Sequence, residues 1–182
     1  ENEIELITSY SILEQVVKNL QLNFSVVAIG NIKQTLVEDY PFKFTTKIES
    51  DSAKQRQYRV NHTENGLEII DYQNEEKQYL FKDFSTLKKK HHFPFEISNI
   101  KKQDWIEQGY YINFHTTSQK VTYLKRRVSA TRVGKQSEII LLTFNSENKK
   151  HAKKILNELI DVFNNDGIKD RQLIHKRTID FV

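Results

Sequence analysis

The stretch SEIILLTFNSENKKHAKKILNELIDVF, residues 137–163, changes its hydrophobic period part-way along, and that change decides the fold class. Its first eight residues hold Ile139, Ile140, Leu141 and Leu142 in unbroken succession, the pattern of a central strand buried on both faces. After Asn145 or Ser146 as a cap, Ala152, Ile155, Leu156, Leu159, Ile160 and Phe163 recur at helical spacing, with Lys149, Lys153, Lys154 and Glu158 largely opposite. A strand feeding an amphipathic helix implies a mixed α/β (α+β) domain, with a mixed sheet flanked by helices. Gly167 costs about 1 kcal/mol relative to Ala inside a helix. Helical patterning nevertheless resumes from Ile168 to Val182, so the helix bends at the glycine or continues through it.

The opening residues have the same helical period. Leu6, Tyr10, Leu13, Val17 and Leu20 form one stripe, widened by Ile12 and Val16. Ser11 and Glu14 fit the capping box, which predicts a short first helix ending near Ser9 and a second from Ile12 to Leu20. Phe24 to Ile29 is rich in β-branched residues, Gly30-Asn31 suits a two-residue turn, and Ile32 to Val37 returns antiparallel. After Pro41, the alternation from Phe42 to Ile48 predicts another strand, followed by a loop at Asp51 to Gln55.

Between residues 58 and 117 the pattern is that of short strands: Tyr58 to His62, Leu67 to Tyr72 after an Asn65-Gly66 turn, Gln78 to Phe84, Phe93 to Ile97 and Tyr110 to His115. The joining segments are too short for domain linkers. Residues 1–182 are therefore expected to form one domain, with 58–117 a β-rich, insertion-like section of it. Beyond it, Ser118 is a candidate N-cap for a helix from Lys120 to Arg126, followed by a strand from Val128 to Val133 and a turn at Gly134-Lys135.

Composition narrows the chemistry. Twenty-eight Lys and Arg against 24 Asp and Glu leave a net charge of +4, too small an excess to mark a nucleic-acid binder despite a pI near 9.1. There is no cysteine, which removes disulfides, thiolate nucleophiles and Cys-based zinc sites. The five glycines lie singly at 30, 66, 109, 134 and 167, so no phosphate-cradling loop is encoded. The six histidines have no metal-ligand spacing, and no nucleophile elbow is present. Neither catalysis nor a cofactor or metal is expected.

Two basic clusters, Lys88-Lys89-Lys90 followed by His91-His92 and Lys125-Arg126-Arg127, suit an acidic polymer, although solvated surface is the plainer reading of such runs. Trp105, between Asp104 and Glu107, suits sugar stacking or, more plainly, a partly buried indole. These seven residues, the basic clusters without the histidines plus Trp105, are the candidate polymer contacts. No apolar run approaches the roughly 20 residues that span a bilayer. The lack of any Met, even at position 1, points to a piece of a longer protein.

Glu3 to Leu22 resembles the acidic stretch that follows the first membrane span in bacterial polysaccharide co-polymerases, the Wzz/Wzc-type chain-length determinant family. Tyr40-Pro41 is similar to that family's step into a core strand. Gly134 to Phe144, with Ala152, Ile155-Leu156-Asn157-Glu158-Leu159-Ile160 and Val162-Phe163, resembles its strand-then-helix block, the more specific match of the two. The likeness covers residues 1–48 and 128–182.

The resemblance implies a non-catalytic, extracytoplasmic domain on the periplasmic side of the inner membrane, anchored by spans outside this chain. It implies ring-shaped homo-oligomers, with the entry helix and the C-terminal helix as candidate contact elements, and partnership with the polysaccharide polymerase and export machinery. It also implies control of the length and export of capsular or exopolysaccharide, with polysaccharide itself a potential partner. In the tyrosine-kinase branch a cytoplasmic kinase domain follows the second span, and none of its motifs is present here. The alternative reading is a carbohydrate-binding module for an acidic surface polymer.

Overall fold

A computed structural model describes residues 2–46, 49, 53–73, 76–82, 93–101, 104–134 and 138–180, with side chains described up to Gly167. The elements in chain order are α1 (Asn2–Ile7), α2 (Tyr10–Asn19), β1 (Phe24–Ile29), β2 (Gln34–Val37), β3 (Lys43–Thr46), β4 (Arg56–Thr63) and β5 (Gly66–Asp71). There follow β6 (Lys77–Phe81), β7 (Phe95–Ser98), β8 (Tyr110–Phe114), α3 (Thr117–Arg127), β9 (Val128–Arg132), β10 (Ile140–Phe144) and α4 (Lys149–Asp180). The fold is mixed α+β with a strand-rich centre. The chain divides into two compact units, one formed by Glu1–Gln21 with Thr117–Val182, the other by Leu22–Thr116.

In the two-ended unit, α2 is the hub. Ile12, Leu13, Val16 and Val17 are at most 2% exposed and face α3 and α4. Burying each side chain stabilises by about 1.5–3 kcal/mol. From the facing helices come Val121 and Leu124 of α3 and Ile155, Leu159 and Val162 of α4. The Asn19 side-chain amide donates to Glu158 Oε1 at 2.7 Å, fastening the end of α2 to α4.

Three helix starts differ from the sequence expectation, in α2 and α4 because a neighbouring side chain is better placed. Ser9, not Ser11, caps α2: its backbone is extended and its hydroxyl accepts from the Ile12 N–H. Asn148, rather than Asn145 or Ser146, caps α4, its Oδ1 accepting from the His151 N–H at 3.0 Å, while Ser146 Oγ accepts from the Asn148 N–H at 3.1 Å. Helix α3 already includes Thr117 and Ser118. Helix α4 continues through the Gly167 position to Asp180.

The larger correction concerns β10. Among the described residues it pairs with β9 alone, from Ile140↔Arg132 to Phe144↔Val128, and its residues alternate between half-buried and exposed. Leu141 is 52% and Ile139 66% exposed. In a hairpin of two strands, with Leu141 and Ile139 exposed, the apolar run is not a central strand buried on both faces.

The second unit holds an antiparallel sheet in the order β2-β1-β8-β4-β5-β6 and a separate β3-β7 pair. Strand alternation sends Val26, Tyr58, Val60, Leu67, Ile69, Ile112 and Phe114 into one core with Phe93, Phe95 and Ile97. Phe95 stacks on Phe114 at 6.0 Å and meets Tyr58 edge-on at 5.0 Å. The β1–β2 hairpin has a four-residue loop, with Ile29 opposite Gln34 and Ile32 fully exposed at its tip. Neither Gly30 nor Asn31 takes the positive φ that a two-residue turn requires. Between β4 and β5 the turn is Glu64-Asn65, with Gly66 (φ +127°) opening β5, where a Cβ would lie 2.3 Å from the Phe81 carbonyl oxygen. The expected strand residues 47, 48, 83, 84 and 137, loop residues 51 and 52, turn residue Lys135 and helix residues 181 and 182 lie outside the described residues.

Candidate functional site

The basic residues that the sequence singles out have different fates. Lys88, Lys89 and Lys90 lie outside the described residues. Lys125, Arg126 and Arg127 form the exposed last turn of α3, where cations oppose the negative end of the helix dipole. Arg127 is already engaged: Nη1 donates to the Asn145 carbonyl at 2.9 Å, and its guanidinium sits 4.7 Å from the centre of the Tyr123 ring. One turn earlier, Lys120 places its ammonium 5.4 Å from the same ring. Burial lowers the Lys120 amine to a pKa of about 8.

Trp105 belongs to the other unit. Its ring stacks on Phe42 at 5.2 Å, meets Tyr110 edge-on at 5.4 Å and lies 5.9 Å from His62. One face of the indole is thus occupied by the core, as the plainer reading of a partly buried indole requires. Its N–H is buried and has no acceptor among the described residues.

Among the described residues no group of three His, Asp or Glu side chains could hold a metal ion, and no helix is long and apolar enough to cross a membrane. Two shallow concavities occur in the strand-rich unit. One, of about 330 Å³, lies between the β1–β2 loop and Gln108; the other, of about 470 Å³, lies beside Tyr40, Phe42 and Lys101.

The two-ended unit instead presents apolar surface that the sequence pattern assigned to the core. Leu6 (45% exposed), Tyr10 (51%) and Ile160 (42%) stand out from α1, α2 and α4, and Val133, Ile139 and Leu141 from the β9–β10 hairpin. Among the described residues that hairpin is unpaired on both outer edges. An open strand edge beside exposed apolar side chains is an association surface in its chemistry. Periodicity alone did not reveal it, because Leu141 and its half-buried neighbours Ile140 and Leu142 are indistinguishable in an unbroken apolar run. The chain matches no protein-family model and no curated protein.

Proposed function

We propose that this chain is a non-catalytic, self-associating extracytoplasmic domain of a membrane polysaccharide co-polymerase of the Wzz/Wzc type. The observation that carries the reading is the convergence of the two stretches bearing the family likeness. Residues 3–21 and the described part of 134–163 are far apart in sequence, yet they pack together as α1, α2, the β9–β10 hairpin and α4 in one unit. The weaker likeness around Tyr40-Pro41, and residues 58–116, which carry no family motif, lie within the other unit.

In this role the domain acts through contacts. Ring assembly needs two different surfaces on each subunit, repeated head to tail. The exposed apolar side chains of α1 and α2 and those of the β9–β10 hairpin supply two candidates. The domain sits on the periplasmic side of the inner membrane, held by spans outside this chain, and meets the polymerase and export machinery there. Any kinase activity belongs to parts of the parent protein beyond these residues.

The test is made in the full-length membrane protein in its own host. Tyr10→Asp with Leu141→Asp places a carboxylate on each surface at positions that are already half exposed, so folding is spared. The expected result is shortened or lost surface polysaccharide on a sizing gel, together with loss of cross-linked oligomers. Polymer unchanged in length and amount overturns the proposal.

A further inference from the structure

The outward face of the six-stranded sheet carries side chains that the core does not use. Strand register places Tyr111 of β8 opposite Arg59 of β4, with Asn113 opposite Gln57 one outward position further along. All four side chains are half-buried. Tyr72, just beyond β5, has its backbone N–H on the Gln57 carbonyl, so it joins the second row. Adjacent strands are about 4.8 Å apart and successive outward residues roughly 7 Å apart, so these two rows frame an area close to that of one sugar ring.

The groups are held in place. The rings of Tyr72 and Tyr111 are 6.1 Å apart, tilted by 58°. Arg59 donates from Nε and Nη2 to the Gln108 carbonyl at 3.2 and 2.9 Å. Among the described residues it has no carboxylate partner, and most of its donors remain unspent. Gln57 Nε2 donates to Asn113 Oδ1 at 2.9 Å, which fixes the amide pair and leaves the Gln57 carbonyl and the Asn113 amide for a ligand.

We propose that this face binds a glycan segment, its sugar rings lying against Tyr111 and Tyr72 and its hydroxyl or carboxylate oxygens meeting Arg59 and the Gln57–Asn113 pair. Tyrosine offers an apolar ring with a polar tip, and side chains on strands are pre-positioned more rigidly than those on loops. Nucleic acid would need several cations along a phosphate track, whereas among the described residues of these two rows Arg59 is the one cation, and Glu68, opposite the next outward residue Asn61, is bonded to Gln78. A strand-adding peptide would use a sheet edge instead. The inference deepens the co-polymerase reading and rests on it only for the origin of the glycan.

Affinity electrophoresis of the whole chain in native gels tests it, with alginate as an acidic polymer and dextran as a neutral one. The expected result is retardation of the unmodified chain, weakened about fivefold or more in Arg59→Gln and in Tyr72→Ala. Tyr72 lies outside the strands, so its truncation spares the sheet. Retardation by alginate alone assigns Arg59 to a carboxylate; retardation by both polymers assigns it to hydroxyls. No retardation by either polymer, or retardation unchanged in both variants, overturns the proposal. That failure would leave the polysaccharide phenotype of the Tyr10 and Leu141 substitutions intact, and failure of that phenotype would leave the gel result intact.

Discussion

Asn23 and His115 clasp one another at the neck of the strand-rich unit. The Asn23 side-chain amide donates to the His115 carbonyl at 3.0 Å, and the His115 backbone N–H donates to the Asn23 carbonyl at 2.8 Å. Asn23 is fully buried, and the unit begins at Leu22 and ends at Thr116. Its two ends are therefore tied together by the first residue before β1 and the first after β8. Removing the side chain leaves the His115 carbonyl without that donor, a loss of about 1–3 kcal/mol. Asn23→Ala is expected to lower the urea midpoint of the unit accordingly, and an unchanged midpoint would show that water replaces the bond.

The same closure predicts autonomy. Residues 22–116 contain a core built from their own strands, with buried Tyr58, Phe95, Ile112 and Phe114, and their ends already meet. Expressed alone, this segment is expected to give a dispersed amide NMR spectrum and a cooperative melt. A collapsed spectrum would show that the unit depends on the rest of the chain.

Gly109 has no freedom to change. Its φ is +79°, and a Cβ would lie 2.5 Å from the Val60 carbonyl oxygen and 3.1 Å from Asn61 Cβ. Its N–H donates to the Ile106 carbonyl and its carbonyl accepts from the Ile29 N–H, so the backbone cannot shift without breaking both bonds. Strain and clash together make Gly109→Ala destabilising by about 2 kcal/mol or more. Gly134, where φ is also positive but a Cβ meets nothing within 4 Å, is the control. Gly134→Ala should cost only the strain of its φ, and equal losses at the two sites would refute the steric argument.

Of the predicted helical stripes, Ile12, Leu13, Val16 and Val17 of α2 and Ile155 and Leu159 of α4 are buried, whereas Leu6, Tyr10 and Ile160 of the same stripes are exposed. The strands of the central section lie close to where alternation put them. Helix starts were misplaced by two or three residues because Ser9, Ser11, Ser146 and Asn148 are chemically equivalent caps. Only the backbone at each position decides between them. The β10 reading failed for a different reason. Four apolar residues in a row look the same in a central strand as in a two-stranded hairpin, and the number of strands is a tertiary fact. On the outer sheet face, Tyr111 and Asn113 could have been assigned outward from the alternation of Tyr110, Ile112 and Phe114. Their meeting with Arg59, Gln57 and Tyr72 depends on register, which local sequence does not encode.

Lys120 predicts an unusual pH dependence. Burial lowers its folded-state pKa from 10.5 to about 8, so between those values the unfolded chain binds more protons than the folded one. Stability contributed by this group is therefore lowest below pH 8, where the folded protein must bury a charge, and it rises from pH 8 towards 10. Above about pH 10 the buried tyrosines reverse the trend. Desolvation raises the hydroxyl pKa of Tyr40, Tyr58 and Tyr110 above the usual value of 10.0, so the stability they contribute is lost as the unfolded chain ionises first. Lys120→Met keeps the stem's packing, removes the buried charge and is expected to raise the melting temperature at pH 7, by about 2–4 °C for each kcal/mol regained. It should also flatten the rise between pH 8 and 10. Thermal melts of both proteins at pH 7, 8, 9 and 10 check this. A Lys120→Met protein no more stable at pH 7 than the unmodified chain would mean that the ammonium's contact with Tyr123 outweighs its desolvation.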